Sequence, residues 1–299
     1  MPMEILLLCF ATELWHWSTF VNLQGSILPD DLASIVWPQG LKTLVLSTSL
    51  ETPVEAVPWP ALLQSLTFGR SFNENVSGVT WPPSLRHLSF GFDFNQPIAG
   101  VVWPASLERL SFQGCFNQPI FEVAWPATLQ QLSFRGNFDQ PIAGVEWPTS
   151  LLELSFAGCF NQAITEVVWP ACLLQLTLVC SFNQPVAEVL WPASLQQLTF
   201  GFDFNQSIAE VKWPASLQQL AFGSELDQPI TGVAWPASLR QLSFGRKFNQ
   251  SISGVEWPAS LEELCFGDEL FGSTFDQPLA GVVWPASLRT VTCGSTSLL

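Results

Sequence analysis

The chain repeats one unit of 22 residues twelve times, and each unit opens with a Trp-Pro pair. Every interval is 22 residues except the last, where five extra residues fall between Gly267 and Phe275. A fixed period of this length is typical of stacked repeats that bury their apolar faces against one another, so it predicts a solenoid. The twelve pairs begin at Trp37, Trp59, Trp81, Trp103, Trp125, Trp147, Trp169, Trp191, Trp213, Trp235, Trp257 and Trp284.

Apolar residues within each unit follow the pattern Leu-x-x-Leu-x-Phe, as in Leu195, Leu198 and Phe200. The alternation around Thr199 has the two-residue period of a strand, and stacking in register predicts one parallel sheet. Between strands, Pro recurs at two positions of most units and Gly is frequent, which excludes helices of useful length. The predicted fold class is therefore mainly β, with a helix-poor return side.

The return side also contributes to the predicted core. Phe204, Ile208, Val211 and Trp213 are expected to point inward. Twelve exposed indoles would make an apolar stripe of roughly 2,400 Å², whereas soluble monomers rarely expose more than a few hundred contiguous Å². The Trp row is therefore predicted to be interior.

A row of Asn or Asp residues follows the return-side Phe in most units, as at Asn95, Asn205 and Asp227. These two residue types share only a side-chain oxygen, so an accepted hydrogen bond is the common role that we expect. The residue two positions on is commonly Pro, which has no N–H. The donor is therefore predicted to be the N–H three residues on, or one in the neighbouring coil.

Composition limits the classes of partner. With 10 basic and 25 acidic residues, the formal charge is −15, and the scattered basic residues argue against nucleic acid and anionic membrane surfaces. The seven Cys include no Cys-x-x-Cys pair, and the sequence has no His cluster. We therefore expect no metal site and no cofactor. His16 and His87 lie near no catalytic motif, so the chain is predicted not to be an enzyme. The cysteine content favours a reducing, cytoplasmic location over secretion.

The repeated unit resembles the FNIP repeat, a 22-residue relative of leucine-rich repeats. Phe94-Asn95-Gln96-Pro97-Ile98 and Trp103-Pro104-Ala105-Ser106-Leu107 carry the likeness, which covers residues 37–295. The resemblance implies a curved, right-handed solenoid with its parallel sheet on the concave face. It also implies contacts with other proteins and no catalytic site.

Three segments are distinguished along the chain. Residues 1–36 are predicted to form an N-terminal cap with a degenerate repeat, and residues 37–299 a solenoid of twelve coils. The five-residue insertion lies at about 268–272. Because the chain stops just past its last strand, we expect an uncapped sheet edge there, which is consistent with either end-to-end self-association or a truncated array.

The predicted function is a non-enzymatic scaffold that binds a protein through its concave face or an edge. The alternative is a secreted solenoid that binds polysaccharide or ice through Ser/Thr and Gln rows. Departures from the repeat indicate the candidate contacts, because a repeat position diverges from the common pattern where selection for a function acts on it. An acidic row at Glu166, Glu188 and Glu210 is predicted to be a hydrated surface. The candidate contact residues are Leu152, Leu174, Val179 and Cys180, which are predicted to form one small apolar patch in the sixth and seventh coils, and Leu270 and Phe271 in the insertion.

Overall fold

The computed structural model describes residues 19–22, 35–46, 53–267 and 272–298. They form short strands joined by turns and extended segments, and the described part of the chain has one 3₁₀ helix, Val54–Ala56. This confirms the mainly β, helix-poor solenoid predicted from the repeat. The chain divides into two compact units: unit 1 holds the described residues of 1–140 and 146–151, and unit 2 those of 141–145 and 152–299.

Unit 1 contains six strands that pair in chain order and in parallel. The register follows the 22-residue period, so that Leu66 pairs with Leu88 and Leu88 with Leu110. The strands are β1 Phe20–Asn22, β2 Thr43–Val45, β3 Ser65–Thr67, β4 His87–Ser89, β5 Arg109–Phe112 and β6 Gln131–Gly136. β1 lies inside the segment predicted as an N-terminal cap; the boundary at residue 36 stays a prediction.

Unit 2 contains eight strands, of which the first seven are parallel and in chain order. The 22-residue register continues, with Leu198 opposite both Leu176 and Leu220. The strands are β7 Glu153–Gly158, β8 Gln175–Cys180, β9 Gln197–Phe200, β10 Gln219–Ala221, β11 Gln241–Phe244, β12 Glu263–Phe266, β13 Thr290–Cys293 and β14 Thr296–Ser297.

Alternation along each strand separates core from surface. In β9, Leu198 and Phe200 are buried, whereas Gln197 and Thr199 point outward and are half-buried. On the return side, Phe204 and Ile208 are fully buried and Val211 and Trp213 nearly so, which confirms the predicted inward positions. The core is thus a set of apolar rows, each built from one position of the repeat.

Equivalent aromatic rings lie farther apart with increasing distance from the sheet. In unit 2 the ring centroids of Phe200 and Phe222, which end β9 and follow β10, are 5.5 Å apart. On the return side the separation is 6.2 Å between Phe182 and Phe204, and the stacked indoles of Trp191 and Trp213 are 6.3 Å apart. Paired strands themselves lie about 4.8 Å apart. The coils therefore splay away from the sheet, which lies on the concave side of this unit.

The Trp row is interior, as predicted, but most of its indole N–H groups have no hydrogen-bond partner among the described residues. Trp103, Trp191 and Trp213 are each less than a tenth exposed. Phe rings meet the indoles edge to face, for example Phe90 and Trp103 at 6.4 Å, so a weak N–H···π contact is the interaction that this environment offers. The indole N–H is buried without a hydrogen-bond partner at Trp37, Trp59, Trp81, Trp103, Trp125, Trp169, Trp191, Trp213, Trp235 and Trp257.

The last parallel strand does not end in an open edge, so that expectation is wrong. The chain reverses at Gly294, and β14 pairs antiparallel with β13, placing Thr296 opposite Cys293. Side chains of the final coil are nevertheless less covered than their equivalents: Leu261 is fully buried, whereas Leu288 is only half-buried. The backbone edge is therefore covered and the apolar end face is not. End-to-end association stays a prediction.

Candidate functional site

Many polar side chains of the coils hold the stack together and are therefore not free for function. The Asn95 Oδ1 accepts hydrogen bonds from the backbone N–H of Asn117 at 2.9 Å and from the Gln118 side-chain amide at 3.1 Å. Asp227 makes the same pair of bonds with Asn249 and Gln250. Of the two donors that the sequence left open, the structure selects the one in the neighbouring coil.

A second row was missed by sequence reasoning. The Ser or Thr before the first Leu of a coil donates its hydroxyl to the carbonyl oxygen of the equivalent Leu one coil earlier, as in Ser106 to Leu85 at 2.7 Å. The recurrence of a small hydroxyl residue next to an invariant Leu was the available signal. The row comprises Ser84, Ser106, Thr128, Ser150, Ser194, Ser216, Ser238, Ser260 and Ser287.

The outward face of β9–β12 in unit 2 carries a depression of about 220 Å³. Gln197, Gln219 and Gln241 line one side of it, and Gln241 donates a hydrogen bond to the Glu263 carboxylate at 3.0 Å. Ala221 lies on its floor at a position held by Thr199 one coil earlier. Because the side chain of Ala221 is smaller than that of Thr199, space opens at this position. The Gln amides provide both hydrogen-bond donors and acceptors around it.

The outward face of unit 1 differs in charge. Arg86 donates to the Glu108 carboxylate at 2.8 Å, and Arg109 lies opposite His87 in the register of β4 and β5. Burial of the imidazole, followed by the positive charge of Arg109, lowers the pKa of His87 below its ordinary value of 6.5. His87 is therefore uncharged at neutral pH. In the register of the sheet it lies between Ser65 of β3 and Arg109 of β5.

The predicted contact residues of the sixth and seventh coils lie in two pairs. Leu152 and Leu174 immediately precede β7 and β8 and are neighbours, because the Leu174 N–H bonds to the Leu152 carbonyl at 2.8 Å. Val179 and Cys180 lie at the other end of β8, five residues or about 16 Å further along the strand. The structure does not join the two pairs into one patch. Leu270 and Phe271 lie outside the described residues.

Cys180 has a backbone φ of 68°, in the left-handed region that favours glycine. Gly136 and Gly158 occupy this position in the two preceding coils with φ of 84° and 108°. The exposed thiol of Cys180 therefore belongs to a residue with a strained backbone, at the end of β8. Its backbone carbonyl accepts the N–H of Asp203 in the next coil.

Two further observations concern the described residues as a whole. They contain no group of three or more His, Cys, Asp or Glu side chains arranged to hold a metal ion. Nor do they include a helix with the length and apolarity needed to cross a bilayer.

Comparison with known proteins agrees with the coil geometry. Residues 78–115 match the model of the family described as FNIP Repeat. No curated protein matches the sequence.

Among solved structures, the chain is similar to CroV588, described as a circular leucine-rich-repeat protein, with 38% identity and a TM-score of 0.68. The alignment covers 85% of this chain and 40% of CroV588, so the chain spans about two fifths of that protein.

Two other structures share the fold at low identity. The first is the Toll–Spatzle complex of Drosophila, with 12% identity, a TM-score of 0.55, and coverage of 85% of this chain and 40% of that chain. The second is internalin InlF of Listeria monocytogenes, with 16% identity, a TM-score of 0.55, and coverage of 92% and 86%. The likeness in these cases is that of the leucine-rich-repeat fold. The chain therefore has the fold of a leucine-rich-repeat-type solenoid, and residues 78–115 of it match the FNIP Repeat model.

Proposed function

We propose that this repeat scaffold binds another protein through the outward, concave face of β9–β12. The depression above Ala221 carries the proposal, because it is a recess bordered by the side-chain amides of Gln197 and Gln219 and by the hydrogen-bonded pair of Gln241 and Glu263. Repeat proteins of this type use their concave surfaces for binding. One of the structures with the same fold is itself a protein complex, Toll with Spatzle.

The chemistry of the recess suits a polypeptide. Gln197, Gln219 and Gln241 can each donate to a backbone carbonyl and accept from a backbone N–H. Ala221 and the buried Leu side chains that also line the recess offer an apolar floor for a small side chain of the partner. The exposed Glu263 carboxylate, at one end of the recess, favours a basic residue there.

Leu152 and Leu174 extend the proposed surface toward the start of unit 2. Equivalent positions in later coils are Gln196, Gln218 and Arg240, which are exposed. An apolar pair in this row adds contact area that a partner can remove from water. Val179 and Cys180 form a separate, smaller contact at the far end of β8.

Binding of polysaccharide or ice is not supported by the comparisons. The predicted rows are also irregular. The Ser/Thr row is interrupted at Ala221 and Cys265, and the Gln row by Arg109, Glu153 and Glu263. Scaffolding without catalysis is the general property of FNIP and leucine-rich repeats, and we propose it for this chain.

Filling the recess tests the proposal. Ala221→Trp should remove specific partners from an affinity purification read by mass spectrometry, because the indole occupies the recess. Leu174→Glu should reduce them to a smaller extent. Ala193→Trp, at an exposed turn position preceding β9, is the matched control and should leave the partners unchanged.

Circular dichroism should show that all three variants keep the fold. If the same partners are recovered with Ala221→Trp and Leu174→Glu as with the unaltered chain, the proposal is wrong.

A further inference from the structure

Two adjacent coils of unit 2 expose large apolar side chains away from the sheet. Val168 is 81% exposed and Leu190 is 79% exposed, and each immediately precedes the Trp of its coil. The indoles of Trp169 and Trp191 stack with centroids 6.4 Å apart. Val168 and Leu190 are therefore neighbours at about the same spacing, and they form a short apolar row in contact with solvent.

A row of carboxylates runs beside this apolar row. Glu166 lies in a turn that is closed by the hydrogen bond from the Val167 N–H to the Ile164 carbonyl, and Glu166 and Val168 are both exposed on either side of the buried Val167. Glu188 and Leu190 repeat the arrangement one coil later. Glu210 adds a third exposed carboxylate one coil later. None of these three carboxylates has an ion pair among the described residues.

Among the described coils, an exposed Glu and a large exposed apolar residue occur together at these two positions only in the coils of Val168 and Leu190. Val102 and Val283 are also about 80% exposed, but the position of the Glu is Gly100 and Gly281 in their coils. Glu122 has the small Ala124 in place of the apolar residue. In the coil after Leu190 the apolar row ends at Lys212, which is exposed and basic.

We infer that Glu166, Glu188, Glu210, Val168 and Leu190 form a docking strip for an extended segment of a partner protein in which Lys or Arg alternates with aliphatic residues. Spacing supports this occupant. Side chains on the same side of an extended chain recur about every 6.6 Å, which is close to the 6.3 Å and 6.4 Å that separate successive indoles beside the strip.

An extended segment lying along the strip would send alternate side chains to its two rows. The basic residues would meet the three carboxylates in turn, and the aliphatic residues would cover Val168 and Leu190. Lys212 ends the apolar row, because it takes the place of the apolar residue in the third coil. Its positive charge would repel a basic residue of the partner placed beyond Glu210. The strip uses residues outside the concave face, so it is independent of the function proposed above.

A short labelled peptide provides the test. Fluorescein-labelled Lys-Val-Lys-Val-Lys should bind the unaltered chain in a fluorescence anisotropy titration, and Glu-Val-Glu-Val-Glu should not. Leu190→Ser should weaken binding about five- to tenfold through loss of apolar contact, and Glu188→Gln about two- to fivefold through loss of charge attraction. Added salt should weaken binding as well.

Val102→Ser is the matched control, because Val102 has the same exposed coil position but lacks the neighbouring carboxylate. It should leave the affinity unchanged. The inference is overturned if the acidic peptide binds equally well, if Leu190→Ser has no effect, or if Val102→Ser weakens binding as much as Leu190→Ser.

Discussion

The inner rows and the outward rows of the sheet come from alternate residues of the same strands, yet they vary very differently. At the inner position of β4, β5 and β9 the residue is Leu in every case, and each is at most 2% exposed. At the outward position one residue earlier, the three strands carry His87, Arg109 and Gln197. Every coil must fit the coil below it, so the interior repeats. The outward face contacts no neighbouring layer and is free to diverge.

The largest effect should come from breaking an inner row. Phe112 is fully buried and stacks on Phe90 and Phe134 with ring centroids 5.3 and 5.4 Å away. Phe112→Ala leaves a cavity in a row that cannot collapse without shifting both neighbours, so we expect a loss of about 3–5 kcal/mol in the free energy of unfolding. Urea denaturation measures it.

The adjacent surface residue is the control for that change. Gln113→Ala removes an exposed side chain and should change the free energy of unfolding by less than about 0.5 kcal/mol. Equal losses for the two variants would contradict the distinction between inner and outward rows.

A smaller effect should follow from the hydrogen-bonded Asn row, which lies on the return side of the coils. Asn95→Ala removes the acceptor of the Asn117 N–H and should cost about 1–3 kcal/mol. Hydrogen exchange at the Asn117 amide should become faster. Asn95→Asp keeps the acceptor, as Asp227 does naturally, and should restore most of the protection. Unchanged exchange in the Ala variant would show that the bond does not hold the coils.

The smallest effect concerns the outward residue His87. Its pKa, followed by NMR titration of the imidazole, should lie below 6.5, and Arg109→Gln should raise it by removing a positive neighbour. The unfolded chain binds this proton more readily than the folded chain. Folding is therefore unaffected by His87 above pH 6.5, and a small destabilisation develops as the pH falls from 6.5 through the folded-state pKa.

A His87 pKa at or above 6.5 would contradict this description of the face. No change in the Arg109→Gln variant would show that burial alone lowers it.

The repeat predicted the inner rows because period and alternation are properties of the sequence itself. Leu198, Phe204 and Trp213 could be assigned to the core from spacing alone. The choice between two donors for the Asn oxygen could not be made, since it depends on where the next coil lies. Nor could the recess above Ala221, which exists only because larger side chains surround a small one in three dimensions.

The end of the array shows the same limit. No pattern in residues 294–298 announces a strand, because β14 is two residues long and is formed by pairing with β13. The single patch predicted around β8 is a further example. Leu174 and Val179 are only five residues apart in sequence, but the extended strand β8 places them near its opposite ends.

The bonds of the Asn row have a direction, and this bears on how such chains change over evolutionary time. In these bonds the side-chain oxygen of one coil accepts the backbone N–H of the coil that follows. Asn183 accepts from Asn205, and Asn205 accepts from Asp227. Removing or duplicating one whole 22-residue unit would bring together a donor and an acceptor of the same kinds at the new junction. Gene segments of 66 base pairs, or multiples of 66, can therefore be gained or lost while this pairing of donor and acceptor is kept, whereas an insertion of another length shifts the repeat out of register.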